Sequence, residues 1–266
     1  MVKHLCGGVK DMGRITIRFG SGSDIGKERA GNEDSYRVVC SAAVPDAIDA
    51  IFVVADGMGG HAAGEVASQM AVESVVGTLV SQDNQLGILG AFEILDLMRS
   101  AMARANQVVM EEGARSPEKR GMGTTCTLGV IQGDDLYLAH IGDSRGYLFR
   151  GRDLSRITED HSVVEEEVRR GLLTAEQARV DPRRNLITAA IGLDLDPTVD
   201  TKSVKLLSGD RIMFCTDGLN SMITDQEIGT ILDRNDPQAS CQGLIDAAND
   251  AGGEDNITII VVDVIR

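Results

Sequence analysis

Residues 51–64 read IFVVADGMGGHAAG: five apolar residues, then one carboxylate, one imidazole and four glycines crowded together. Such a run reads as a buried strand that ends in Asp-Gly. Asp56 would then stand at the rim of a sheet, while Gly57 lets the backbone turn and leaves its carbonyl accessible. The same device recurs at 211–218, RIMFCTDG, where the strand ends at Asp217. Taken singly, Asp-Gly is a common turn.

Working outward, Ile15–Phe19 and Ser35–Cys40 read as further strands. Val72, Val75, Val76 and Leu79 recur at helical spacing, as do Leu95, Met98, Met102, Ala105 and Val109, which predicts two long amphipathic helices packed on a sheet. The period then changes to two. Thr124–Ile131, Leu136–Ile141 and Arg145–Arg150 read as strands joined by short turns at QGDD and GDS, a meander. Residues 160–185 are charged and helical, carry a Thr174-x-x-Gln177 capping box and have little apolar surface, so they read as an appendage. Strands Arg211–Cys215 and Ile257–Val262 follow around two helices, the first opened by the capping box Thr224-x-x-Glu227 and the second ending at Gly252. No Pro/Ser-rich linker divides the chain. The expectation is one domain over 15–266 with an insertion at about 160–190; residues 1–14 form an extension with no structural reading.

Composition narrows the function. With 42% hydrophobic and 25% charged residues in 266, the chain is globular. Aromatics are 3% with no Trp, so the core is aliphatic and base-stacking platforms are not expected. A net charge of −15 repels nucleic acid and anionic membrane. The five cysteines include no C-x-x-C pair, which suits reduced thiols and a cytoplasmic location, with Cys126 and Cys215 as core residues. The N-terminus shows no apolar leader, and no run of about 18 apolar residues occurs, so neither export nor a membrane span is expected. His4 and Cys6 read as incidental.

Four stretches share a form: GNEDS (Asn32, Glu33, Asp34), VVADGMGGH (Asp56, His61), FCTDGL (Asp217) and GGEDNIT (Asp255, Asn256). Several Asp and Glu without clustered His or Cys form the ligand set of hard cations such as Mg²⁺ or Mn²⁺. If Asp56 bridged two such ions, the pair would acidify a bound water and aim it at a phosphorus or carbonyl centre. The cations would also receive an anionic substrate that the protein's own charge repels.

The motifs RAGNED, ADGMGGHAAGE, GMGTT, HIGDSR, TEDHS, CTDGL and GGEDNIT, in this order over roughly residues 20–264, resemble the metal-dependent Ser/Thr protein phosphatases of type 2C, in their bacterial branch. The resemblance implies an α+β fold: a four-layer α-β-β-α sandwich of two mostly antiparallel sheets flanked by helix pairs, with a small helical flap at the insertion. It implies that Asp56 bridges two core ions, Mn²⁺ or Mg²⁺, that Asp217 and Asp255 complete the first, and that Glu33 and the Gly57 carbonyl serve the second. Asp34 would hold waters beside the ions, and Asp143 would help bind a third, weaker one. Arg29 would bind the substrate phosphate through its planar fork, and His61 would protonate the leaving alkoxide. Arg169, Arg170, Arg183 and Arg184 of the flap could meet acidic flanks of a phosphopeptide, or simply form a solvated charged face.

The implied activity is hydrolysis of phosphoserine and phosphothreonine in proteins by direct attack of water. The protein would be a cytoplasmic monomer opposing a Ser/Thr kinase, with no covalent phosphoenzyme. Two alternatives stand beside it: a phosphatase-like scaffold that docks a partner, and a dedicated phosphatase of a sigma-factor switch. Three strand-end carboxylates argue against a scaffold, because their desolvation is costly without a cation.

Overall fold

The computed structural model describes residues 8–11, 16–40, 48–59, 62–81 and 89–265. Its strands are β1 (Gly8–Asp11), β2 (Thr16–Asp24), β3 (Asp34–Cys40), β4 (Ala50–Met58), β5 (Gly123–Thr124), β6 (Cys126–Gln132), β7 (Asp135–Ile141), β8 (Arg145–Arg150), β9 (Asp153–Arg156), β10 (Asp200–Lys205), β11 (Arg211–Cys215) and β12 (Ile257–Ile265). The helices are α1 (Ala62–Val80), α2 (Ala91–Arg115), α3 (Val163–Arg169), α4 (Ala175–Val180), α5 (Asp217–Asn220), α6 (Asp225–Arg234) and α7 (Pro237–Asp250). One sheet orders β1-β2-β12-β11-β8-β9 and the other β10-β7-β6-β4-β3, with β5 paired to the end of β4. Neighbouring strands run antiparallel in both.

Continuous apolar runs arise because the central strands are covered on both faces, and successive side chains point opposite ways. In β4, Ile51, Val53 and Ala55 pack under α1 and α2, while Ala50, Phe52 and Val54 point into the layer between the sheets. In β12, Ile257, Ile259 and Val261 face α6 and α7, and Ile260, Val262 and Val264 face the other sheet. Three apolar layers thus separate four structural layers, as the resemblance implied. Between the sheets Phe52 and Phe214 stack with centroids 6.2 Å apart. Gly129 of β6 leaves the room for this, since a Cβ there would come within 2.5 Å of the Phe214 ring.

The helices follow their sequence signals. Along α1, Ala63, Ala67, Ala71, Val75 and Leu79 are buried at every fourth position, and in α2 the buried stripe is Ile94, Met98, Met102, Ala105 and Val109. Both expected capping boxes form, Thr174 with Gln177 at α4 and Thr224 with Glu227 at α6. Cys126 and Cys215 are fully buried, as expected. His4 and Cys6 lie outside the described residues.

Four expectations need correction. The meander is broken: β6 and β7 form a hairpin, but after Gly142–Ser144 the chain crosses to the other sheet, where β8 pairs with β11 and β9. β4 does not stop at Asp56; it runs on through Gly57 and Met58, which pair with Thr124 and Gly123. RIMFCTDG is therefore not the same device, because β11 ends at Cys215 and Asp217 opens the single turn α5 behind the cap residue Thr216. Within 1–14, Gly8–Asp11 is an edge strand on β2 and so belongs to the sheet. Strands β9 and β10 carry no alternation in the sequence, because DLSR and DTKSVK are polar edge strands with no buried residues to set a period of two.

Phe52→Ala empties the contact between the sheets. It is expected to lower unfolding free energy by about 3–5 kcal/mol, seen as a lower urea midpoint with an unchanged slope.

Candidate metal centre

Antiparallel pairing lays the end of one strand beside the beginning of its neighbour. It sets Asp34, the first residue of β3, opposite Asp56 in β4. In the other sheet β11 and β12 are partners, so Asp217, just after β11, meets Asp255, just before β12. Asp143 stands on the segment crossing between the sheets. The five carboxyls therefore converge where the two sheets end together, and Asp56 lies within the fields of Asp34, Asp217, Asp143 and Asp255.

The convergence shows in their protonation. Burial, then the neighbouring acids, push Asp56 and Asp143 well above the ordinary carboxylate range. Burial pushes Asp34 up to about 7, opposed by hydrogen bonds from Thr258 and Thr216. Asp217 rises to about 6 through burial and the charge of Asp255, with hydrogen bonding to Asp56 acting against the rise. One oxygen each of Asp34 and Asp217 (Oδ1 in both) is buried without a partner.

Hydroxyls and backbone hold this cluster from beneath. Thr216 Oγ1 donates to Asp34 Oδ2 at 2.8 Å and accepts from the Thr258 amide at 2.9 Å. The Asp56 amide donates to Thr125 Oγ1 at 2.9 Å, and its carbonyl accepts from Thr124 Oγ1 at 2.8 Å. Thr125 in turn shares a hydrogen bond with Ser144, next to Asp143, at 2.7 Å. Each of these threonines falls inside one of the motifs GMGTT, CTDGL and GGEDNIT, beside the acids. A small polar residue inside a motif that is otherwise apolar or acidic is the sequence signal for this supporting role.

Glu33 and Gly57 adjoin the cluster. The Gly57 amide donates to the Glu33 carbonyl at 3.2 Å, and Ser68 Oγ donates to the same carbonyl at 2.6 Å. The Glu33 carboxylate lies over Gly64 in the first turn of α1, in space that a Cβ would fill. Asn256, buried, accepts from the Glu33 amide at 2.7 Å and donates to the carbonyls of Ile25 and Gly31, so it latches the 25–33 loop to the start of β12. That loop carries Arg29, whose guanidinium donates to Asp255 Oδ2 at 2.6 Å. His61 and Gly60 lie outside the described residues.

The donor set is all oxygen, with partnerless buried carboxylate atoms and an acid cluster that outnumbers the arginine paired to it; those are the features of a hard-cation site. The side chains converge without closing on one point: among the described residues no three or more His, Cys, Asp and Glu form a finished ion cage. Mutual repulsion of like charges acts in that direction.

A cavity of about 550 Å³ opens beside the cluster under α3 and α4, lined by Asp143, Asp217, Arg145, Val164, Val168 and Ala178. The flap arginines are partly committed to internal pairs. Arg183 donates to both oxygens of Glu167 at 2.8 Å and to Asp181, while Arg184 stands 3.7 Å from Glu254.

The family model described as Protein phosphatase 2C matches residues 25–244. The serine/threonine protein phosphatase PstP of Mycobacterium tuberculosis is 37% identical over 257 residues, covering 96% of this chain and 46% of that protein. The chain thus spans about half the length of these curated relatives. The S. agalactiae serine/threonine phosphatase structure superposes with TM-score 0.85 at 34% identity, covering 94% of this chain and 100% of that one. The catalytic domain of PstP, solved in complex with two manganese ions, gives TM-score 0.79 at 35% identity over 95% of this chain and 99% of that one.

A carboxyl whose pKa is raised on folding stabilises the fold at pH below its unfolded value and loses that contribution as pH rises through its folded value. With Asp34 at about 7 and Asp217 at about 6 against 3.8, the chelator-treated protein is expected to melt at a lower temperature at about pH 8 than at about pH 5. Asp34→Asn should flatten that slope in a calorimetric pH series.

Proposed function

The chain belongs to the protein phosphatase 2C family, and from that membership we propose that it is a Ser/Thr phosphoprotein phosphatase requiring Mn²⁺ or Mg²⁺. The observation that carries the proposal is the convergence of Asp34, Asp56, Asp143, Asp217 and Asp255 with buried, partnerless oxygens. Asp56 would serve both core ions, Asp217 and Asp255 would hold one with it, Glu33 and the Gly57 carbonyl the other, and Asp143 would help hold a third, weaker one. Divalent cations bound there supply Lewis acidity, which makes water nucleophilic at neutral pH and offsets the charge of a phosphate.

The chain's own residues do the rest. Asp34 orients water with one oxygen while Thr216 fixes the other. Arg29 has a half-exposed side chain and pairs with Asp255; a cation on Asp255 would weaken that pair and free the guanidinium to donate two hydrogen bonds to phosphate. His61 donates a proton to the departing serine or threonine oxygen. The carboxylates serve as ligands, so no acyl-phosphate on aspartate forms.

The substrates are phosphoserine and phosphothreonine proteins, products of a Ser/Thr kinase that this enzyme opposes. A monomer suffices, since every proposed ligand comes from one chain. Among the described residues no helix is long and apolar enough to cross a membrane. A cytoplasmic location is supported by Cys126, Cys215 and Cys241, which are buried thiols.

Hydrolysis of a phosphothreonine peptide should require added Mn²⁺ or Mg²⁺ and stop with EDTA. Asp56→Asn and Asp255→Asn should each lower kcat/KM by more than about 100-fold, and His61→Gln should cost about 10²–10⁴-fold in kcat. Arg29→Ala should act mainly on KM. An inactive wild type at saturating Mn²⁺ on several phosphopeptides would overturn the proposal.

A further inference from the structure

Two quoted motifs, HIGDSR at 140–145 and TEDHS at 158–162, contribute only Asp143 to the proposed chemistry. They lie side by side, bonded residue to residue. The Gly146 amide donates to Thr158 Oγ1 at 3.0 Å, and His140 Nε2 meets the Glu159 carbonyl at 3.0 Å. Arg145 grips Asp160 with Nε and Nη2 at 3.0 and 2.6 Å.

The last pairing is double. The Gly142 amide donates to His161 Nδ1 at 3.2 Å, and the His161 amide donates to the Gly142 carbonyl at 2.7 Å. Gly142 is thereby held through both of its peptide groups, at φ +108°, packed so closely on Thr125 that a Cβ would collide. With Nδ1 accepting, the ring proton sits on Nε2, which faces Asp200 Oδ2 at 3.2 Å. His161 also roots the flap: its carbonyl accepts from the Thr188 amide at 2.7 Å where the flap returns, and the next residue, Ser162, caps α3.

We infer that His161 is a positioning residue for Asp143: by clamping Gly142 it fixes the peptide from which that carboxylate projects and ties it to the root of the flap. The inference rests on the reading of Asp143 as an ion ligand given under Proposed function. Asp143 has no rigid strand beneath it, since Gly142–Ser144 is the crossing between the sheets. Its placement therefore depends on what grips the crossing from outside: Thr125 and Thr127, which both bond Ser144, on one side and His161 on the other.

Three variants separate the two ends of the imidazole. His161→Asn keeps an acceptor near Nδ1, His161→Gln keeps a polar group near Nε2 but leaves the Gly142 N–H unpaired, and His161→Ala removes both. Amide hydrogen exchange at Gly142 and Ser144 and calorimetric Mn²⁺ titration without substrate would be measured for each, alone and with Asp143→Asn. Gln and Ala should speed Gly142 exchange at least about tenfold and weaken the binding step that Asp143→Asn abolishes by about 10–100-fold; Asn should stay within about threefold. In the Asp143→Asn background the His161 substitutions should leave ion binding unchanged. The inference is overturned if Asn is as damaging as Ala, if exchange at Gly142 is unaltered by Gln and Ala, or if His161→Ala weakens ion binding equally without Asp143. A wild type that binds no Mn²⁺ would instead sink the phosphatase reading, with the exchange rates still judging the clamp.

Discussion

Everything in this molecule is arranged around the cost of holding several carboxylates together in partly dehydrated space. Like charges brought this close raise one another's pKa, and burial adds to the effect. Asp34, Asp56, Asp143 and Asp217 all show it. A chain that gathers them needs elements stiff enough to resist their repulsion and donors placed to share the charge. Antiparallel strand ends supply the first, and Thr216, Thr258 and Arg29 supply the second.

Stiffness comes from covering both faces of both sheets. A strand such as β4 is clamped between two apolar layers, so its register cannot slip without turning Phe52 and Val54 out of one core and Ile51 and Val53 out of the other. Asp56 inherits that precision, and pairing of Gly57 and Met58 with β5 extends it past the carboxylate. Asp217 and Asp255 lie just beyond the paired ends of β11 and β12. The core needs no tryptophan; aliphatic side chains, two stacked phenylalanines and the buried Tyr137 and Tyr147 fill the layers.

The flap is joined to this rigid body at its root. Ser162 pairs with Ile187 across its base, and beyond the return Ile191 pairs with Thr124, whose hydroxyl bonds to the Asp56 carbonyl. His161, at the entry, grips Gly142 beside Asp143. Entry is thus anchored on the segment that carries Asp143 and return on β5, which bonds the Asp56 carbonyl, and the cavity between the flap and the body opens onto Asp143 and Asp217.

Sequence alone determined the acidic motifs, the fully buried strands, the long helices, two capping boxes and two buried cysteines, because each is written in neighbouring residues: a run, a period or a spacing. It also placed the acids in motifs whose order resembles one family. Tertiary structure decided what depends on residues far apart in the chain. That Asp34 faces Asp56, that Thr216 bonds Asp34, that Asn256 latches the 25–33 loop and that β8 leaves its hairpin for the other sheet are pairings across tens to hundreds of positions. A turn such as GDS reads the same whether the chain doubles back or crosses over. Only the packing of two sheets around a shared core, which burial of Leu148 and Phe214 together enforces, selects the crossing that brings Asp143 to the other four acids.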